Sequence, residues 1–388
     1  MKKLLFISFF AALLAVGCDG TENTDGELNP PSEDNTGNGN NDDGTNCLIY
    51  YTTTDGQTLT FYMTAGGEHP EAETLMSDWI SNCFEEGMEL VSDTYENDEG
   101  VLRFNKPVTE IRTDAFRLCY TLKTIVIPNS VTKIGSSAFG SCRCLQYIEI
   151  PASVLSIEAN AFLGSGGGPA NTQSMEIILH EGLQSIGDFA FSASIRTITI
   201  PQSVTTIGEG IFYRNAQLYE INGKYASDDK RCLIVDGELR GFAQRYDYEK
   251  RQYETNEYTL PSEVKVIGPL AFAFCGLSVI NIPEGVTEIC RDAFTWATKL
   301  APLTLPASLK KIHSFAFSFV NETYGGFEFD CLSTTPPEFV PEYDEDNNPS
   351  YSFGTQINAI HVPAQSVDAY KSAKGWELYA DVIVGYDF

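Results

Sequence analysis

The stretch Val131–Ser153, VTKIGSSAFGSCRCLQYIEIPAS, decides the fold, because its pattern repeats many times along the chain. Each copy is built around the core V-x-x-I-x-x-x-A-F. A repeat period in the twenties indicates a solenoid, in which stacked units bury apolar residues that one unit leaves exposed. We therefore expect the repeat phenylalanines to form one buried column. Eight of them align, at intervals of 23, 23, 29, 21, 60, 22 and 23 residues: Phe116, Phe139, Phe162, Phe191, Phe212, Phe272, Phe294 and Phe317.

The second half of each unit reads L-x-x-I-x-I-P, as in Leu145–Pro151. Its alternating apolar residues predict a short strand with one buried face. The proline ends the strand because it has no N–H to donate to the ladder. The A-F part lacks this alternation and predicts the turn that leads to the next rung. The sequence therefore predicts a β-rich solenoid of short strands.

The full pattern, L-x-x-I-x-I-P-x-x-V-x-x-I-x-x-x-A-F-x-x-C, resembles the BspA-like class of leucine-rich repeats from bacterial surface proteins. The resemblance covers residues 101–388 and implies a right-handed leucine-rich repeat array with a small cap at each end. It also implies a surface protein that binds or adheres. The chain departs from a regular array at several positions, among them Leu183 and Leu309 in place of Val, Ile211 in place of Ala, and Cys290 and His313 in place of Gly.

The N-terminus predicts export. Lys2 and Lys3 precede a short apolar run, and residues 1–17 end in small residues before Cys18. This segment resembles a lipoprotein signal peptide, and the resemblance implies that Cys18 is acylated and anchors the protein at the outer membrane or cell surface. The alternative is an ordinary signal peptide followed by an incidental cysteine.

Residues 18–46 predict a disordered acidic tether, because residues 19–46 carry eight acids and no base and hold little apolar surface to bury. The whole chain has 25 basic and 53 acidic residues, a formal charge of −28. That balance excludes nucleic acid as a partner and disfavours broad contact with anionic lipid, since both need basic clusters. Contact with the membrane is expected only through the lipid.

Three further segments follow: an N-terminal cap at 47–100, the solenoid at 101–330 with an insert at 223–257, and a C-terminal cap at 331–388. In the first cap we expect a hairpin around Asp55-Gly56 and a short helix from Leu75 to Cys83. A separate ligand-binding module is the alternative for this segment. In the last cap we expect a helix over 366–374 and a closing strand, with Trp376 and Tyr379 in the core.

The ten cysteines do not suggest a general disulfide framework. Cys119, Cys142 and Cys275 each stand three residues after a repeat phenylalanine, and an in-register cysteine is typical of a small buried residue in a ladder. We expect mostly free thiols, although Cys119 with Cys142, and Cys47 with Cys83, remain possible pairs.

The sequence contains no motif for catalysis. It has no G-x-S-x-G and no G-x-G-x-x-G, and its four histidines are spread over separate rungs without metal-ligand spacing. We therefore predict a protein that is not an enzyme and carries no cofactor and no metal.

Two surfaces remain as candidates for binding. The first is the outward face of the repeat strands near Tyr147 and Glu149, whose alternative is a solvated face of strand-forming residues without a ligand. The second is the insert at 223–257, whose alternative is a loop that only packs on the solenoid flank. The insert concentrates residue types that are common at contact hot spots, among them Tyr246, Tyr248 and Arg251.

Together these features predict a lipid-anchored surface protein whose leucine-rich repeats bind an extracellular protein or glycan. The alternative is a carbohydrate-binding accessory lipoprotein of a nutrient-uptake system, which exposed aromatic pairs on one face would favour.

Overall fold

The computed structural model describes residues 45–59, 84–167, 174–247, 252–321 and 325–388. The expected signal peptide, Cys18, nearly all of the tether, the expected helix from Leu75 to Cys83, and Tyr248 and Arg251 lie outside the described residues. None of the helices within these ranges combines the length and apolar composition needed to cross a bilayer.

The chain folds into a β-solenoid of about 11 turns, which confirms the predicted fold class. One side, the long-strand face, comes from the L-x-x-I-x-I segments. Its strands pair in parallel, so that Ile125, Ile148 and Ile177 meet on neighbouring rungs with buried side chains. The strands are Leu122–Val126, Tyr147–Ile150, Glu176–Leu179, Thr197–Ile200, Glu220–Gly223, Glu257–Thr259, Val279–Asn281, Leu303–Leu305 and Phe327–Cys331.

A second side, the short-strand face, comes from the V-x-x-I segments. Its strands also pair in parallel, isoleucine on isoleucine, and most are only two residues long. They are Glu110–Ile111, Lys133–Ile134, Ser156–Ile157, Ser185–Ile186, Thr206–Ile207, Val266–Ile267, Glu288–Ile289, Lys311–His313 and Glu338–Val340.

The A-F segments form the third side, which we call the turn edge. The residue two positions after the repeat phenylalanine is left-handed in most rungs, with φ of 65° at Leu118 and 60° at Trp296. Its N–H donates to the next rung: the Trp296 N–H lies 2.9 Å from the Ser318 carbonyl oxygen. The turn edge therefore presents one outward side chain per rung at a fixed spacing.

The repeat phenylalanines are buried as predicted, with at most 7% of any of the eight exposed. They do not form one continuous stack. In the described residues, one run of rings joins Phe116 to Phe191 through Phe139 and Phe162, and a second joins Phe272, Phe294 and Phe317. Phe212 is buried between the runs beside Gly241 of the insert. The column is divided because the insert contributes its own strand and ring, Phe242, which contacts Phe272 at 5.0 Å.

The N-terminal cap is a sheet continuous with the long-strand face. Leu48–Thr53 lies between Glu99–Phe104 and the first solenoid strand, pairing antiparallel with both. The expected hairpin around Asp55-Gly56 is wrong, because both edges of Leu48–Thr53 are already occupied. The observed hairpin joins Leu90–Glu96 to Glu99–Phe104 through a two-residue turn with positive φ. A 3-10 turn, Thr45–Cys47, precedes the sheet.

The insert forms two hairpins, and a strand of the first hairpin takes the place of the short strand in one rung. Glu238–Phe242 pairs antiparallel with Cys232–Val235 and in parallel with Val266–Ile267. Tyr246–Asp247 pairs with Gln252–Tyr253. Arg231 holds the first hairpin from inside: it is 5% exposed, and its guanidinium lies 4.8 Å from the Phe242 ring centroid and 4.5 Å from that of Tyr258.

The C-terminal cap closes the solenoid with two more parallel strands, Ile357–Pro363 and Ile383–Tyr386. The expected helix is present as Val367–Ser372, flanked by 3-10 turns at Ala364–Ser366 and Trp376–Tyr379. Trp376 is fully buried and its indole N–H donates to the Pro337 carbonyl oxygen at 2.7 Å, whereas Tyr379 is half-buried. A small hairpin, Glu342–Tyr343 with Pro349–Ser350, lies beside this cap.

Candidate functional site

The structure brings Tyr147 and Glu149 together on the long-strand face and adds His180 from the next rung. The Tyr147 hydroxyl donates to one Glu149 carboxylate oxygen at 3.1 Å, and the His180 imidazole lies 2.6 Å from the other. Burial, followed by the charge of Glu149, raises the pKa of Tyr147, so that its phenol keeps its proton. The cluster is thus a hydrogen-bonded polar patch, in which the carboxylate is held from both sides.

The described part of the insert is packed on the solenoid flank. The rings of Tyr246 and Tyr253 meet at 4.9 Å across their hairpin. Tyr253 in turn covers Gly276 so closely that a Cβ there would meet the ring, and the Lys299 ammonium lies 5.8 Å from the same ring. Arg245 donates to the Tyr219 carbonyl oxygen at 3.1 Å. These contacts favour the structural interpretation of this segment over a free contact loop.

A different feature stands out on the turn edge, a row of half-buried and exposed aromatic rings that we call the aromatic ladder. It consists of Tyr213, Phe274, Trp296 and Phe319. Successive ring centroids are 5.4, 6.0 and 4.5 Å apart. Trp296 and Phe319 are each 41% exposed, although aromatic rings of this size usually bury most of their surface. The ladder therefore forms a continuous apolar strip on a strongly acidic protein.

The orientation of the rings decides what the ladder can contact. Phe274 and Trp296 are inclined by only 8°, and Trp296 and Phe319 by 17°. Both faces of Trp296 are consequently covered by neighbouring rings. A ring that is stacked between two others offers mainly its edge to a partner, and such edges suit contact with apolar side chains.

The ladder was not predicted from the sequence, although a signal for it exists. Phe274, Trp296 and Phe319 each follow a repeat phenylalanine by two residues, and the pattern A-F-x-[FW] appears only in the last three repeats. The same position holds Leu118, Ser141 and Gly164 in the first three repeats, so an aromatic residue is not required for the fold.

The buried thiols are not activated for chemistry. Cys142, Cys275 and Cys331 are buried, and burial raises the pKa of Cys275 to about 12 and of Cys331 to about 11. Cys142 is a free thiol whose sulfur lies 3.0 Å from the Phe116 carbonyl oxygen. A nucleophilic cysteine instead needs a lowered pKa and access to solvent. The expectation that the in-register cysteines are small buried residues is confirmed.

Part of the repeat array matches a known family of repeats. The family model described as the BspA type leucine rich repeat region matches residues 168–227 and 246–324, in six copies. This match confirms the resemblance, and the rungs continue N-terminal to the matched residues as far as Glu110–Ile111. Proteins with this type of repeat are commonly found at the cell surface. No curated protein sequence matches the chain.

Several solved structures of bacterial repeat proteins are similar to this chain. A leucine-rich repeat protein from Eubacterium ventriosum is 20% identical, with a TM-score of 0.41 over 68% of this chain and 71% of that chain. A leucine rich cell surface protein from Faecalibacterium prausnitzii is 18% identical, with a TM-score of 0.37 over 76% and 90%. The pneumococcal vaccine antigen PcpA is 17% identical, with a TM-score of 0.44 over 76% and 88%.

Proposed function

We propose that the protein is a non-catalytic, lipid-anchored scaffold at the cell surface, and that it binds a protein partner through the aromatic ladder. The observation that carries this proposal is the exposure of Trp296 and Phe319, each 41% exposed, on neighbouring rungs. Exposed aromatic residues in a contiguous strip mark interaction surfaces, because their apolar area is stabilised by a partner that removes it from water.

Protein is favoured over glycan by the stacking of the rings. A sugar packs its C–H groups on the face of an aromatic ring, but the faces of Trp296 are covered by Phe274 and Phe319. Ring edges and the gaps between rungs instead accept aliphatic or aromatic side chains. Exposed aromatic pairs, which would favour a carbohydrate-binding lipoprotein, are thus present. Their stacked arrangement, however, suits contact with a protein better than contact with a sugar.

The charge of the chain indicates the kind of partner. With a formal charge of −28, the protein repels acidic surfaces and attracts basic ones. Complementary charge mainly speeds association, whereas apolar contacts at the centre of an interface hold the complex together. We infer a partner whose contact surface has apolar side chains flanked by lysine or arginine, such as a basic extracellular-matrix protein.

The first prediction tests the ladder. Purified extracellular-matrix proteins and a glycan array are exposed to the wild type and to the Trp296→Ala/Phe319→Ala variant. Each aromatic hot spot contributes about 2 kcal/mol or more, which is roughly 30-fold in Kd, so the double variant is expected to lose detectable binding to a matrix protein that the wild type binds. Surface plasmon resonance measures the affinity, and rising salt should slow association.

Matched controls separate the ladder from the other candidate surfaces. Leu118→Ala removes an exposed apolar side chain at the same repeat position, in a rung outside the ladder, and is expected to leave binding unchanged. Tyr147→Phe tests the long-strand face, and Tyr246→Ala tests the insert at its second hairpin, which leaves the rung strand Glu238–Phe242 in place. If binding survives the double variant but is lost in one of these controls, the binding site lies on the surface that the control changes. Binding to glycans alone would support the carbohydrate alternative.

The second prediction tests the lipid anchor. Cys18→Ser removes the thiol that acylation requires, so the protein is expected to leave the membrane fraction and to lose incorporation of a radiolabelled fatty acid. Fractionation followed by immunoblotting measures the change, with Cys47→Ser as the control that keeps the anchor. A Cys18→Ser protein that stays labelled and membrane-bound would contradict the lipoprotein interpretation.

A further inference from the structure

Two departures from the repeat pattern fall at the same position on neighbouring rungs. Four of the eight repeats place Gly after the isoleucine of the short strand, as in Ile134-Gly135 and Ile267-Gly268, whereas two consecutive rungs carry Cys290 and His313. The strands Glu288–Ile289 and Lys311–His313 pair in parallel, with Ile289 opposite Ile312. Cys290 and His313 are therefore adjacent across the short-strand face.

Glu288 completes the group. The Cys290 sulfur, an imidazole nitrogen of His313 and a carboxylate oxygen of Glu288 all lie within 4.8 Å of one another. The His313 Nε2 and the Glu288 Oε1 are 2.7 Å apart, and their side chains are only 25% and 28% exposed. Three potential ligand atoms thus converge on one half-buried point.

The donor set is suited to a particular kind of ion. Thiolate, imidazole and carboxylate are the ligands of zinc sites, whereas calcium and magnesium prefer oxygen alone. In a tetrahedral zinc site the ligand atoms are about 3.5 Å apart, given Zn–N and Zn–S bonds of about 2.0–2.3 Å. Small side-chain rotations reach that spacing from the observed cluster. Glu238 and Glu209 also act electrostatically on Cys290, and they are opposed in part by Arg240, whose guanidinium pairs with Glu238 at 2.9 Å.

A comparison inside the molecule shows what is special about this group. His180 and His361 also pair with carboxylates, at 2.6 Å from Glu149 and 2.9 Å from Asp330. Within the described residues, only the pair of His313 with Glu288 has a cysteine close enough to form a three-ligand group. An ion pair between His313 and Glu288 gives no reason for a cysteine beside it. A zinc site does, because the Cys290 thiolate would be the third protein ligand.

We propose that Glu288, Cys290 and His313 form a zinc-binding site, with water as the fourth ligand. Zinc bound there joins two neighbouring rungs from outside the core. Because an ion that binds only the folded chain stabilises it, zinc is expected to raise the unfolding temperature of the protein.

The test uses the full protein, purified in chelator and then titrated with Co²⁺, which takes the same ligands as Zn²⁺ and reports thiolate coordination by a charge-transfer absorption band. The wild type is expected to show this band at saturation, with one equivalent bound, and Zn²⁺ should displace it. Cys290→Gly and His313→Gly each introduce the residue that four of the eight repeats carry at this position, so the rung is expected to fold. Cys290→Gly should abolish the band, and His313→Gly should weaken binding by more than about 100-fold.

Two controls keep the result specific. Cys144→Ser removes a half-buried thiol elsewhere, and His361→Ala removes a histidine–carboxylate pair that lacks a cysteine, so both should bind Co²⁺ like the wild type. A wild type without a saturable thiolate band overturns the proposal, as does a band that persists in Cys290→Gly. Zinc that raises the unfolding temperature of Cys290→Gly as much as that of the wild type would also overturn it.

Discussion

Phe139→Ala is expected to lower the free energy of unfolding by about 3–5 kcal/mol, the usual cost of removing a phenylalanine from a packed core. Phe139 is fully buried, and its ring lies 5.3 Å from Phe116 on one side and 5.3 Å from Phe162 on the other. Removing it breaks the first run of rings at its centre. The rungs on both sides are fixed by parallel ladders, so they cannot close fully around the cavity.

Chemical denaturation followed by circular dichroism measures this loss. Phe319→Ala is the matched control, since it removes a phenylalanine that is 41% exposed on the same turn edge and should cost far less. An effect of Phe139→Ala below about 1 kcal/mol would mean that the phenylalanine column does not hold the rungs together, because it would fall far below the usual cost of deleting a core phenylalanine.

Arg231→Ala is expected to destabilise the insert and the rungs next to it by about 3 kcal/mol. The buried guanidinium packs against the rings of Phe242 and Tyr258, which also contact each other, and it donates to the Ala243 carbonyl oxygen at 3.1 Å. A desolvated cation–π contact is worth about 2 kcal/mol, and a hydrogen bond from a charged group adds about 1.5–3 kcal/mol, part of which water replaces in the variant.

The measurement is the midpoint of denaturation together with the rate of proteolysis inside the insert. Arg143→Ala is the control: its guanidinium lies 5.5 Å from the Tyr120 ring, but the arginine is exposed, so its contact should contribute less than about 1 kcal/mol. Equal effects of the two substitutions would show that the buried position of Arg231 adds nothing.

The repeat could be predicted from the sequence because its pattern spans few residues and recurs in each copy. Ile148, Phe139 and Cys142 recur at fixed offsets, so their burial follows from the period alone. The pairing of Leu48–Thr53 with Glu99–Phe104 was missed because it joins segments about 50 residues apart, which no short window reveals.

The candidate sites were harder to predict because each depends on neighbours in different rungs. Tyr147 and Glu149 are close in sequence and were predicted as outward residues, but His180 joins them from the next rung. Phe274 and Phe319 were overlooked beside the buried phenylalanines that they follow. Cys290 and His313 were interpreted as isolated substitutions, and only the parallel pairing of their strands places them side by side.

The division of the core at the insert has a mechanical consequence. One apolar cluster extends to Leu233 and Ala243, and the other begins at Cys232 and Leu239, so a single hairpin serves both. In a repeat array each rung is supported mainly by its neighbours, so the junction between two clusters transmits any load from one to the other. Here that junction is the insert hairpin together with the contact of the Tyr213 and Phe274 rings, whose centroids are 5.4 Å apart at one end of the aromatic ladder. A force between the two ends of the solenoid would therefore pass through the insert hairpin and the aromatic ladder at the same place.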